Sequence, residues 1–347
     1  MTSRGQTGRR ATIRDVAARA AVSHQTVSRV INDQTSVSEA TRLRVLAAIE
    51  QLGYVPSPMA RGLISNRTHT VGMVTADVSD GFFARAVAGA EIEARRRNYY
   101  LIVGSVEETP DDNEGTGYLR LMLERRVEGL ILARPGVVFA GEHLQGAANA
   151  GIPLVSIGSA ELAGFISVDV DNRQGGYDAT RHLLELGHRS IATIVGPHDW
   201  PSAAERDHGR RDALKEAGIA DDAALVERAP DWGLESGYAA TDRLLASGRT
   251  FTAIFAHSDL IALGAIQRLR ADGVRVPDDV SVVGYDDLPI AGYVDPPLTT
   301  IHQPMREVGE FAAALVLDHI GGVEREDGPH LLPARLVVRS STGPVSA

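Results

Sequence analysis

The chain reads as a small all-α head of three short helices joined to a larger α/β body of two doubly wound parallel-sheet subdomains. Three observations carry that reading. The 347 residues exceed one ordinary core and suit two or three compact units. The charge is split: through His69 there are ten Arg, no Lys and four acidic residues, and the remainder holds 25 basic and 41 acidic residues. Beyond position 70, short apolar runs rich in Val and Ile alternate with stretches of helical periodicity.

Composition narrows the class further. A 44% hydrophobic content is ample for burial, and 35 Gly with 16 Pro signal many turns, not a fibre or a disordered tail. Cysteine is absent, which excludes disulfide frameworks, thiolate zinc sites and thiol nucleophiles and suits a reducing cytoplasm. The first ten residues are polar and charged with no apolar run behind them, so a secretory signal is not expected. No stretch approaches the roughly 18 uninterrupted apolar residues of a spanning helix, and no membrane partner is expected.

The head comes first. Thr12 precedes the i, i+3, i+4, i+7 stripe Ile13, Val16, Ala17 and Ala20, and Asp15 completes a capping-box variant. Ser23 caps a second helix that turns Val27, Val30 and Ile31 inward and leaves His24, Gln25, Ser28, Arg29 and Asn32 outward. Ser38 caps a third, with Val45, Ala48, Ile49 and Leu52 inward and Gly53 at its end. Two short helices joined by about three residues form a helix-turn-helix, whose second helix enters the major groove of DNA. Gln25 suits bidentate pairing with adenine, Arg29 with guanine, and His24 reaches a base edge. A basic head on an acidic body points the same way.

Residues Ala11-Thr-Ile-Arg-Asp-Val-Ala17, Val22-Ser-His-Gln-Thr-Val-Ser-Arg-Val-Ile-Asn32, Val37-Ser-Glu-Ala-Thr-Arg42 and Leu52-Gly-Tyr-Val-Pro56 resemble the lactose-repressor (LacI) family, and the resemblance runs through nearly the whole chain. It implies residues 1–54 as the DNA-binding headpiece, with Thr12, Ser23 and Thr26 as further DNA contacts. Ala21 stands where the family usually has Gly; if that position needs positive φ, the cost is about 1 kcal/mol.

Residues 55–69 follow as hinge and linker. Ser57 and Pro58 suit the start of a helix of about one and a half turns, too short to be stable alone. The resemblance implies that two such hinge helices enter the minor groove of a pseudo-palindromic operator. Ser57 and Ala60 then contact DNA and Leu63 wedges between base pairs.

In the body, strands are expected at 71–75, 101–104, 129–133, 154–157, 191–195, 253–256 and 281–285. Helices are expected at 83–97, 176–186, 206–217, 234–246 and 259–271. This alternation argues for parallel sheets covered by helices on both faces, in two subdomains. The family's body is like the periplasmic sugar-binding proteins, and the chain crosses between subdomains three times. That implies one subdomain at about 70–170 and 304–331 and the other at about 171–303 and 332–340.

Ligands of such sheets bind past the carboxyl ends of strands. Arg206, Trp232, Ser258, Asp286 and Gln303 all follow strand ends, and a guanidinium, a carboxylate and an indole face are what a sugar needs. The resemblance makes Arg206 and Asp286 effector contacts, gives Trp232 the aromatic role of the galactoside-responsive branch, and adds Asp80, Phe82, Phe83, Gln303 and Met305 from the other subdomain. Phe82 and Phe83 equally suit the core beneath their helix, and Met305 equally suits packing. Gly158 and Ser258 stand where a galactoside-binding member has Asp and Asn, so two hydroxyl contacts are lost or differently made.

The expected function is therefore a ligand-responsive, sequence-specific repressor of carbohydrate-utilisation genes. Its effector is a mono- or disaccharide that shifts the population of subdomain orientations. The alternatives are a purine- or other small-molecule-responsive regulator of the same family and, more remotely, a sugar-binding transport receptor, which leaves the head unexplained. A homodimer is expected, because the end of the chain, Arg339 to Ala347, carries no leucine heptad. No cofactor or metal is expected. Walker, His-Glu-x-x-His, Gly-x-Ser-x-Gly and dinucleotide glycine patterns are missing, so an enzyme is not.

Overall fold

The computed structural model describes residues 11–31, 36–54, 67–76, 78–79, 81–106, 113–133, 146–147, 151–158, 166–323 and 328–345. Asn32, Asp80 and the hinge positions Ser57, Ala60 and Leu63 lie outside the described residues. The chain divides into two units, residues 1–68 and 69–347.

The first unit holds α1 (Ile13–Ala20), α2 (His24–Ile31) and α3 (Glu39–Leu52). Thr12 starts α1 with a reciprocal capping box: its amide donates to Asp15 Oδ2 at 2.8 Å, and the Asp15 amide donates to Thr12 Oγ1 at 3.4 Å. Ser23 caps α2 by accepting from the Thr26 amide at 3.1 Å. Ser38 differs from expectation. It occupies the N-cap position of α3, but its hydroxyl donates to Thr41 Oγ1 at 3.0 Å and leaves the helix backbone unbonded by a side chain. The apolar faces of the three helices meet in one cluster of Val16, Ala17, Ala20, Val27, Val30, Val45 and Ala48. Between α1 and α2 the chain turns at Ala21, with φ 53° and ψ 50°.

The second unit contains two six-stranded sheets. The first is built from β1 (Thr70–Ala76), β2 (Tyr100–Val106), β3 (Gly129–Ala133), β4 (Leu154–Ile157) and β5 (Ile166–Val170), with α4 (Phe82–Arg96) and α5 (Asn113–Glu124) between them. After Val170 the chain passes to the second sheet. There α6 (Asn172–Glu185), β6 (Ile191–Val195), α7 (Pro201–Glu216), β7 (Val226–Arg228), α8 (Leu234–Ala246), β8 (Ala253–Ala256), α9 (Asp259–Ala271), β9 (Ser281–Asp286) and β10 (Thr299–His302) follow in order. It returns through α10 (Met305–Ile320) and β11 (Pro329–Leu332) to the first sheet, then ends in the second with β12 (Arg335–Val337).

The orders are β11-β5-β4-β3-β1-β2 and β12-β10-β9-β8-β6-β7. All described pairs are parallel except β10 with β12. β3, β4, β6, β8 and β9 are buried along their whole length, as strands covered on both faces must be. The fold is thus a helix-turn-helix head and an α/β body of two parallel-sheet layers, as the sequence indicates. β5, β7, β10, β11, β12, α5 and α10 were not among the expected segments.

Helices lock together at glycines. A Cβ on Gly89 of α4 would lie 2.0 Å from the Arg306 carbonyl of α10, and one on Gly309 of α10 would lie 1.9 Å from the Ala86 carbonyl of α4. The pair α6 and α7 repeats the device with Gly176 against the Arg206 carbonyl and Gly209 against the Arg173 carbonyl, at 2.1 and 1.9 Å. Backbones this close resist sliding, so the residues these helices carry keep fixed positions.

Ala21 gives the first prediction. A Cβ in the left-handed region costs roughly 1–2 kcal/mol, and glycine's extra unfolded-state entropy returns roughly 0.5–1 kcal/mol of that. Ala21→Gly is expected to stabilise the head by about 0.5–1 kcal/mol, read as slower amide exchange across residues 13–52 in the full chain. Faster exchange there would contradict the strained turn.

Candidate functional site

On the head, α2 presents His24, Gln25 and Arg29 to solvent, with Thr26 and Ser28 half-buried. The side chains of Thr12 and Ser23 are engaged in holding helix starts: Thr12 Oγ1 donates to Asp15 Oδ2 at 2.7 Å, and Ser23 Oγ lies 2.9 Å from Thr26 Oγ1. Three long polar side chains therefore project from one helix whose opposite face, Val27 and Val30, is anchored in the core. The arrangement holds hydrogen-bonding groups rigidly away from the body of the domain, which is the requirement for reading base edges.

In the second unit a cavity of about 380 Å³ opens between the two sheets. Its walls come from the carboxyl ends of strands and the helices that follow them. The first sheet supplies Ala76, Phe82 and Phe83, and the second supplies Trp200, Ser202, Arg206, Asp231, Trp232, Gly233, Glu235, Ser258, Leu260, Asp286 and Leu288. Four aromatic rings run from one side to the other. Phe82 meets Phe83 edge-on at 5.1 Å, Phe83 lies 6.3 Å from Trp200, and Trp200 meets Trp232 edge-on at 5.5 Å.

Arg206 forms the charged floor and is only 4% exposed. Its Nε donates to Asn172 Oδ1 at 2.8 Å, and a terminal nitrogen donates to the His257 carbonyl. The guanidinium stacks 3.8 Å above the Tyr285 ring and 5.2 Å from the Trp232 ring. The His257 ring is fully buried against Phe255. Burial, reinforced by the charge of Arg206, pushes its pKa well down, so a second positive charge does not compete with Arg206.

Asp286 ends β9 at φ 120°, 3.9 Å from the Arg206 guanidinium. Gln303 Nε2 donates to its Oδ1 at 2.6 Å. Behind it, Asp259 is completely buried, accepting from the Leu288 amide at 2.7 Å and from the Thr300 hydroxyl. Burial and then the neighbouring Asp286 carboxylate push Asp259 well above the usual carboxylate range.

Of the residues expected from sequence, Phe82, Phe83, Arg206, Trp232, Ser258 and Asp286 line the cavity. Ser258 does so while capping α9, accepting from the Ile261 amide at 3.1 Å and donating to the Trp232 carbonyl at 3.2 Å. Two expected residues are not in the wall. Gln303 is buried behind Asp286 and orients its carboxylate. Met305 starts α10 and points into the core beside Phe83 and Val308. Trp200, Ser202, Asp231 and Glu235 were missed. The signal for the first was its rarity, since the chain has two Trp and both face this cavity.

Comparison with known proteins is in keeping with this geometry. A family profile described as bacterial regulatory proteins, lacI family, matches residues 12–57. One described as a periplasmic binding protein-like domain matches residues 180–342. The HTH-type transcriptional repressor CytR of Escherichia coli (strain K12) is 33% identical over 332 residues, covering 96% of each chain. The HTH-type transcriptional regulator CelR of Thermobifida fusca is 39% identical over 344 residues, covering 96% of this chain and 98% of its own. Among solved structures, a transcriptional regulator CelR–cellobiose complex matches with 37% identity and a TM-score of 0.71, covering 96% of this chain and all of its own. The lac repressor dimer bound to operator and the anti-inducer ONPF matches with 32% identity and a TM-score of 0.88 over the same shares. The chain is a LacI-family, ligand-responsive transcriptional regulator.

Proposed function

We propose that this regulator represses carbohydrate-utilisation genes in the cytoplasm, binding an operator as a homodimer, and that its effector is an uncharged sugar of one or two rings. The observation that carries the effector reading is the cavity. Its four aromatic rings offer apolar surface to the C–H groups of a pyranose, and Arg206 and Asp286 offer directional bonds to hydroxyls. A volume of about 380 Å³ falls at the lower end of the roughly 300–1,000 Å³ of small-molecule sites. Among the described lining residues, Asp231, Glu235 and Asp286 set three carboxylates against the guanidinium of Arg206, a balance that disfavours phosphorylated sugars and other anions. Similarity to a regulator solved with cellobiose supports a disaccharide.

The sugar spans walls from both sheets, so it favours one relative orientation of them and shifts the population of the state that holds DNA. Catalysis has no part in this: the groups around the cavity bind and orient.

Because both tryptophans line the cavity, intrinsic fluorescence reports occupancy directly. Titration with a panel of mono- and disaccharides is expected to give a saturable spectral change for a neutral sugar and none for its phosphorylated counterpart. A nucleobase that saturates the signal where all sugars fail would overturn the reading.

Asp286→Ala removes a charged acceptor. It is expected to weaken that sugar about ten- to a hundredfold, with operator affinity in the absence of sugar within about twofold of the parent. Unchanged sugar affinity would remove Asp286 from the contact set.

Arg29→Ala is expected to cost about 1–3 kcal/mol on an operator selected from random duplexes and to relax one base position. An equal loss on unselected DNA would argue against base reading by α2.

A further inference from the structure

The cavity is bridged at one edge by a hydrogen bond between side chain and main chain that no ligand makes. Arg85, in the first turn of α4 beneath the first sheet, donates from a terminal nitrogen to the main-chain carbonyl of Asp287 in the second sheet's half, at 2.9 Å. Asp287 is the neighbour of Asp286, and Arg85 is two residues beyond Phe83. The bond thus joins the two halves beside the cavity wall.

Both ends of this bond are rigid. Asp286 and Asp287 are consecutive non-glycine residues with φ of 120° and 54°, a conformation that persists only where neighbours impose it. Here they do. The Asp287 carboxylate accepts from Arg339 at 2.6 Å and lies 2.9 Å from His302 Nδ1, and Gln303 holds Asp286. Arg339 and His302 accordingly hold the Asp287 carboxyl below its ordinary range against the opposing effect of burial. The corner that points the Asp287 carbonyl across the cleft is therefore clamped in the same frame as the carboxylate of Asp286. On the other side, α4 is fixed to α10 by the reciprocal glycines Gly89 and Gly309, so a pull on Arg85 moves the first subdomain as a body.

We infer that Arg85 is a positioning residue: its bond to the Asp287 carbonyl ties the Asp286–Asp287 corner to the first subdomain and sets how often the cleft is closed before any effector arrives. The inference adds a regulatory residue to the proposed effector site, yet it holds for an effector of any chemistry. A ligand that binds the closed cleft gains apparent affinity in proportion to the fraction already closed. Loss of the bond therefore weakens the effector without removing a contact to it.

The absence of cysteine makes a direct test simple. Spin labels are placed at Ala204→Cys on α7 and Glu307→Cys on α10, both exposed and one in each half, in the full chain. The distance between them is measured by pulsed electron resonance without effector. With Arg85 intact, and the labelled chain diluted into an excess of unlabelled chain, a single narrow distribution is expected. Arg85→Met, which keeps the stem and loses the donors, is expected to broaden and lengthen it, with Arg85→Gln as the second variant should the first not fold. Arg85→Lys, which keeps a donor, is expected to restore it.

In the fluorescence titration Arg85→Met is expected to weaken the effector roughly tenfold, with the saturating spectrum unchanged. An identical distance distribution in Arg85→Met and parent would overturn the latch even if a sugar binds. A distribution that responds to Arg85 while no sugar binds would keep the latch and overturn the sugar reading alone.

Discussion

A guanidinium almost removed from water is the constraint around which the larger unit is arranged. An unpaired buried charge costs several kcal/mol, so Arg206 is tolerated only because its donors meet Asn172 and the His257 carbonyl and its face lies on Tyr285. Those partners come from different elements: Asn172 starts α6, His257 directly follows β8 and Tyr285 lies in β9. Gly175 leaves room for the Tyr285 hydroxyl, and Gly176 lets α6 approach the Arg206 carbonyl. The order of strands β6, β8 and β9, with α6 and α7 laid over one face, brings all of them to one point.

Once Arg206 is fixed, the remaining walls have restricted places. Trp232 lies over its flank, Trp200 stands edge-on to Trp232, and Phe83 reaches Trp200 from the other sheet. Trp200 thus packs partly against the core of the first subdomain, so the aromatic series is shared between halves. A ligand entering it touches both at once, and that is how binding becomes a statement about orientation. The head has the opposite construction: three helices around one small core, with α2 anchored in it by Val27 and Val30 and its start capped by Ser23.

Much of this was legible in the sequence, for physical reasons. Strands β3, β4, β6 and β8 coincide with the expected runs because interior parallel strands are almost wholly apolar segments bounded by turns, with at most one small polar residue each. β5 reads Ile-Ser-Val-Asp-Val, and its two polar residues hide it. β11 and β12 are short, partly exposed edge strands with little apolar signal. In the site, residues that directly follow strand ends were found. Trp200 was not, because the turn after β6, not any local pattern, swings it into the cavity. Gln303 and Met305 both follow β10: Gln303 turns back to Asp286, and Met305, which also reads as packing, lies in the core at the start of α10. Ser38 has the right place for a cap, but Thr41 offers its hydroxyl a competing partner.

The central claim is that occupancy of the cavity changes the grip on DNA. Its most direct measurement is operator affinity by fluorescence anisotropy, with and without a saturating concentration of the sugar identified by tryptophan fluorescence, at one fixed salt concentration. A coupling of about 5–150-fold between the two affinities is the result that sugar control requires. Equal affinities, with the sugar demonstrably bound, would contradict it.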